Sequence, residues 1–83
     1  MKTIVLTRDA AKQLDALPLQ ARTAITDALA GYAINGAGDV KRLSGRDGYR
    51  MRVGSYRVLF DEDTTTVLAI YIGRRETTTY KRN

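Results

Sequence analysis

Cysteine and histidine are both missing from this 83-residue chain. Without cysteine there can be no disulfide, no thiolate nucleophile and no zinc–thiolate site. Without histidine the usual general base near neutral pH is gone, and so is the commonest metal ligand. Chemistry falls to lysine, arginine, tyrosine, aspartate and glutamate, and neither a metal nor a cofactor is expected. Long hydrophobic runs are missing too: no stretch could cross a bilayer. The start, Met1-Lys2-Thr3-Ile4-Val5-Leu6, lacks the longer apolar run of a secretory signal. A cytoplasmic protein with no membrane partner is the expectation. Proline occurs once, as Pro18, so it punctuates the chain at a single point.

What is present fits one domain, residues 1–83, with a modest core and a narrow margin of stability. The hydrophobic share of 43% is ordinary for a globular chain and argues against disorder. The net charge of +5 is unevenly spread. Residues 1–40 carry four basic and four acidic side chains, and residues 41–83 carry ten basic and five acidic ones. The positive field belongs to the C-terminal half, which points to a polyanion or an acidic peptide as partner.

Thr3 to Leu6 predicts a short strand. Thr7 is a candidate N-cap with Asp9 in the first turn, and Ala10, Leu14 and Leu17 recur at helical spacing. Pro18 opens a second helix, on which Ala21, Ile25, Ala28, Leu29 and Tyr32 share a face. Asn35-Gly36-Ala37-Gly38-Asp39 reads as a connector, since no helix signal follows to make a phosphate loop. Tyr49 to Val53 alternates with a period of two, Gly54-Ser55 is a hairpin turn, and Tyr56 to Phe60 is the return strand. Asp61-Glu62-Asp63 reads as a solvated turn, too short and badly spaced for a calcium loop. Thr66 to Ile72 is apolar and β-branched, which predicts a central strand covered on both faces and ended by Gly73. The expected order is β-α-α-β-β-β. This is an α+β domain: an N-terminal strand and an αα-hairpin packed on a small, mainly antiparallel curved sheet.

Residues two apart on a strand share a face. Arg50 and Arg52 therefore point away from Tyr49, Met51 and Val53, and the Gly54-Ser55 turn brings Arg57 beside them. Arg75, just past the last strand, can join the group, and Tyr80 is close enough to fold back over it. Guanidinium forks match phosphate oxygens, and a tyrosine can stack on an unpaired base. The combination suits single-stranded RNA better than duplex DNA, because no helix carries a basic reading face. Arginines on solvated strands are common in themselves. Their recurrence at matching positions on successive strands, with apolar residues on the opposite face, favours a phosphate clamp. Tyr32, Tyr49 and Tyr56 read as structural, and Tyr71 could face either way.

Three segments together resemble the RelE/ParE toxin superfamily. They are Lys41-Arg42-Leu43-Ser44-Gly45, then Tyr49-Arg50-Met51-Arg52-Val53-Gly54-Ser55-Tyr56-Arg57-Val58, then Ile72-Gly73-Arg74-Arg75-Glu76 with Tyr80. With the αα-hairpin in front, the likeness spans essentially the whole chain. It implies a RelE-like fold and the toxin of a type II toxin–antitoxin pair. RelE-type members cleave mRNA in the ribosomal A site: the 2′-hydroxyl attacks the neighbouring phosphate and the 5′-oxygen leaves, without a metal. Carried over by position, Arg50, Arg52, Arg57, Arg75 and Tyr80 would form the catalytic set. Lys41, Arg42, Arg46, Arg74, Lys81 and Arg82 would add RNA contacts. The implied partners are the ribosome, its mRNA and a RelB-like antitoxin that is acidic or partly disordered, in a hetero-oligomer with the toxin.

The sequence departs from the pattern in two places. The better-known RelE enzyme has lysines where Arg50 and Arg52 stand, and an arginine does not surrender its proton. These residues suit charge stabilisation rather than proton transfer, which leaves Glu76, Asp61, Tyr80 or a ribosomal group as the base. Thr77-Thr78-Thr79 separates Glu76 from Tyr80 and leaves the tyrosine's register open. Two other functions compete: a ParE-like inhibitor of DNA gyrase, and an inactive module that binds its antitoxin alone.

Overall fold

A computed structural model describes residues 1–75. The chain runs β1 (Thr3–Leu6), α1 (Arg8–Asp15), α2 (Leu19–Asn35), β2 (Asp39–Arg42), β3 (Tyr49–Val53), β4 (Tyr56–Glu62) and β5 (Thr66–Arg74). The five strands form one sheet in the order β1-β5-β4-β3-β2. β1 lies parallel to β5, and the remaining neighbours pair antiparallel.

Local chemistry explains the helix ends. Thr7 Oγ1 accepts from the Ala10 amide at 3.1 Å, capping α1 as expected. Pro18 stands at the N-cap of α2, where its missing N–H costs nothing, and its carbonyl accepts from Arg22. Gly36 closes α2 in the left-handed conformation at φ +70°, donating to the Tyr32 carbonyl.

Both helices cover the same face of the sheet. Ala10, Ile25 and Leu29 bury against Met51, Val58, Phe60, Val67, Ala69 and Ile72. Phe60 sits at the centre, 1% exposed, edge-on to Tyr32 at 5.2 Å and stacked on Tyr49 at 5.5 Å. The structural roles expected of Tyr32 and Tyr49 follow from these contacts.

The structure departs from the sequence reading in three places. β2 is a fourth C-terminal strand that composition does not announce, since Asp39-Val40-Lys41-Arg42 has a single apolar residue. β5 extends through Gly73 to Arg74 and is covered on one face, with Ile70 44% and Tyr71 37% exposed. A bulge accounts for the continuous apolar run. Leu59 pairs with Tyr71 and Phe60 with Ala69, so Ile70 is the extra residue and the alternation shifts by one. Finally, Asp61 and Glu62 belong to β4, not to a turn, and Glu62 is half-buried.

Candidate nucleic-acid interface

The strand registers determine which side chains meet on the face away from the helices. Gly54 takes φ +58° in the hairpin turn, which sets Val53 opposite Tyr56 and hence Arg52 opposite Arg57. Across the sheet, Asp39, Arg52, Arg57 and Gly73 form one row. Lys41, Arg50, Leu59 and Tyr71 form the next. Neighbours within a row have Cβ atoms about 5 Å apart. Arg50, Arg52, Arg57 and Lys41 therefore share a patch about 10 Å wide, the span of three strands.

These cations are poorly neutralised. Among the described residues, none of the four has a carboxylate within 4.0 Å, although Asp39 faces Arg52 in register. Arg50 Nη1 and Arg57 Nε are also buried without a hydrogen-bond partner. Holding a donor out of water without an acceptor costs about 1–3 kcal/mol. Like charges at this spacing repel one another as well. An anion placed on the remaining guanidinium donors would relieve the repulsion and gain charge-assisted hydrogen bonds.

Arg75 lies two residues beyond Gly73, just past the end of β5 and opposite Ser55. Its amide donates to the Ser55 carbonyl at 2.8 Å, and its Nη1 donates to the Gly54 carbonyl at 3.0 Å. Arg42 and Arg74 sit one residue out of phase and face the helix side. Arg42 lies 5.8 Å from the Tyr49 ring centroid and Arg74 lies 5.4 Å from that of Tyr56. Arg46 is exposed in the loop between β2 and β3. Tyr80, Lys81, Arg82 and Glu76 lie outside the described residues. Sequence reasoning did not place Asp39 or Tyr71 on this face. For Asp39 the missing signal is the register of a four-residue strand, and for Tyr71 it is the bulge.

The acidic candidates separate cleanly. Asp61 is on the arginine face but four residues along β4 from Arg57, about 13 Å away. Glu62 points to the helix side, where Lys2 Nζ donates to its Oε1 and the Tyr32 hydroxyl to its Oε2, both at 2.7 Å. Burial alone would push the Glu62 carboxyl up, but the hydrogen bonds from Lys2 and Tyr32 and the Lys2 charge outweigh it, holding Glu62 below 4.5. Burial, reinforced by the bond to Glu62 and by its charge, pushes the Tyr32 hydroxyl up from 10.0 to about 12. Glu62 is thus committed to the fold. Among the described residues no group of three or more carboxylates, histidines or cysteines comes together to hold a metal ion, and no helix is long and apolar enough to cross a membrane.

No family model matches the chain, and no curated protein does either. Solved structures do. A chain of the RelBE toxin–antitoxin complex from Mycobacterium tuberculosis is 26% identical, with a TM-score of 0.76, and the match covers 89% of this chain and 98% of that one. The isolated RelE toxin of E. coli superimposes with a TM-score of 0.80 at 18% identity, covering 95% and 89%. A chain of the YoeB dimer from Staphylococcus aureus gives 0.69 at 19% identity, covering 83% and 91%. The architecture is the one the sequence motifs implied: these structural neighbours are RelE and YoeB toxins, and the fold is RelE-like.

Proposed function

We propose that this RelE-fold chain is the toxin of a type II toxin–antitoxin system and an endoribonuclease that cuts mRNA in the ribosomal A site. The observation that carries this reading is the cationic patch: Arg50, Arg52 and Arg57 on paired strands of one open face, with Lys41 beside them. Such a patch has little to do with holding the fold together and much to offer a phosphodiester.

The chemistry follows from charge. When the RNA 2′-hydroxyl attacks the adjacent phosphorus, negative charge builds on the phosphoryl oxygens and on the departing 5′-oxygen. Fixed guanidinium donors stabilise that charge more than they stabilise the ground state, and losing one such donor typically costs about 100- to 1000-fold in rate. Arg57 stands between Arg52 and Gly73 on its row, with its guanidinium on the open face. Arg75, braced on the hairpin turn, supplies a further cation. None of these arginines can take the 2′-hydroxyl proton. Asp61 is too far from Arg57 and Glu62 faces away, which leaves the proton to Glu76, to Tyr80 or to a ribosomal group.

The partner is an antitoxin of the RelB kind. RelE chains from M. tuberculosis, Methanococcus jannaschii, Pyrococcus horikoshii and E. coli were solved in RelB–RelE complexes. Here the open face combines the cations with exposed Val5, Ile70 and Tyr71. An acidic, amphipathic segment would neutralise the first and cover the second.

The test is expression of the chain without its partner, with mRNA ends mapped on translating ribosomes. Wild type is expected to leave codon-phased ends that both Arg57→Ala and Arg75→Ala lose. Growth arrest with intact mRNA and impaired supercoiling would move the target to gyrase. A harmless wild-type chain would reduce it to an antitoxin-binding module.

A further inference from the structure

We propose that Tyr71 is a base-stacking residue of the RNA surface, laid beside Arg57 by the absence of a side chain at Gly73. The inference rests on the reading of the arginine face as an RNA surface and adds a contact to the base, which the arginines do not supply.

Gly73 is the key to it. Several glycines here take positive φ, among them Gly36 and Gly54, and need their freedom for turns. Gly73 is not one of them; it lies within β5 and is paired with Arg57. Backbone conformation therefore does not demand a glycine at this position, but space does. A Cβ built there would overlap the Tyr71 hydroxyl and lie 2.7 Å from Tyr71 Cζ and 3.0 Å from Cε2. The Tyr71 side chain thus lies down along its own strand, with its hydroxyl end over Gly73 and next to the Arg57 position. Any larger residue at 73 would push the ring off the sheet.

The bulge at Ile70 supplies the second half of the argument. It shifts the alternation of β5 so that Tyr71 shares a face with Leu59, Arg50 and Arg57 instead of entering the core. Tyr71 as a residue remains 37% exposed. The other described tyrosines are occupied: Tyr32 by Phe60 and Glu62, Tyr49 by Phe60 and Arg42, Tyr56 by Arg74. Among the described residues Tyr71 has no aromatic, cation–π or hydroxyl hydrogen-bond partner of this kind. An accessible, unengaged ring beside a phosphate-binding arginine is what a nucleotide needs: the arginine holds its phosphate and the ring takes its base. Every base has a π-face, so the contact adds affinity without selecting a sequence.

The experiment compares two labelled strands of ten residues by fluorescence anisotropy at fixed salt. One is single-stranded RNA, and the other is an abasic ribose–phosphate strand with the same charge. Wild type is expected to bind the RNA about tenfold more tightly than the abasic strand. Tyr71→Ala should bind the two alike, whereas Tyr71→Phe and Tyr71→Trp should keep the preference. Gly73→Ala, with Tyr71 intact but displaced, should lose it. Arg57→Ala should weaken both strands equally. Circular dichroism checks that each variant is folded. Retention of the preference by Tyr71→Ala overturns the proposal. If wild type still cleaves mRNA on ribosomes in that case, stacking alone falls and the nuclease reading stands. If wild type binds neither strand, the RNA-surface reading and the stacking role fall together.

Discussion

On the helix-covered face of the sheet, Glu62 is held between the Lys2 ammonium and the Tyr32 hydroxyl at 2.7 Å each. On the open face, Arg50, Arg52, Arg57 and Lys41 crowd together with no carboxylate within 4.0 Å among the described residues. One charge is half-buried and bonded by two donors, and four are gathered on the open face with their like charges unrelieved. The first arrangement serves the folded state, because a half-buried carboxylate without donors would be costly. The second works against it. The difference between the faces separates residues that hold the fold from the residues proposed to meet RNA.

The largest test of that division is Phe60→Ala on the covered face. Removing a ring that Tyr32 and Tyr49 both touch should cost about 3–5 kcal/mol of unfolding free energy, measured by denaturant titration. For a domain this small that is much of its stability.

Arg57→Ala probes the opposite face. Ribosome-dependent cleavage should fall about 100-fold or more, while the denaturation midpoint holds or rises slightly as like-charge repulsion eases. An Arg57→Ala chain that loses stability instead would erase the contrast between the faces.

Tyr32→Phe removes one donor from Glu62 and should cost about 1–2 kcal/mol, since the acceptor is charged. The pH profile sharpens this. Glu62 is depressed in the folded state, so its contribution is present above 4.5 and is lost as pH falls through the lower folded value. Tyr32 is raised, so its contribution is full below 10.0 and is lost as pH rises from there through about 12. Tyr32→Phe should abolish the alkaline loss and leave the acid limb in place with a smaller amplitude, because Lys2 still bonds Glu62.

Asp39→Asn should have the smallest effect and the opposite sign. Asp39 stands opposite Arg52 and repels an approaching phosphate. Its neutralisation should tighten single-stranded RNA binding about two- to threefold at low salt and less at high salt, read as the shift in Kd.

Much of the molecule was legible in advance. The Thr7 cap, the Pro18 start of α2, the Ile25–Leu29 stripe and the Gly54-Ser55 turn are local signals, and each acts where it stands. The same locality placed Arg50 and Arg52 opposite Met51, because strand alternation needs no tertiary information. What failed was non-local. β2 has little β-propensity and exists because β3 offers it an edge, so Lys41 and Asp39 acquired their places from a partner strand. Glu62 read as solvated because the donors that bind it lie 60 and 30 residues away. Arg42 and Arg74 looked equal to their neighbours until alternation sent them to the tyrosines on the helix side.

By itself the sequence determined the fold class, the arginine-rich strands, the relation of Arg50 and Arg52 to the core, and the exclusion of thiol and imidazole chemistry. Those follow from composition and from periods of two and 3.6 residues, which short-range sterics impose. The tertiary structure alone decided that Arg52 meets Arg57 and Asp39 in one row, that a one-residue bulge turns Tyr71 outward, and that Gly73 leaves room for its ring. The reason is physical: register and bulges are settled by the pairing of distant strands, and a shift of one residue exchanges the two faces.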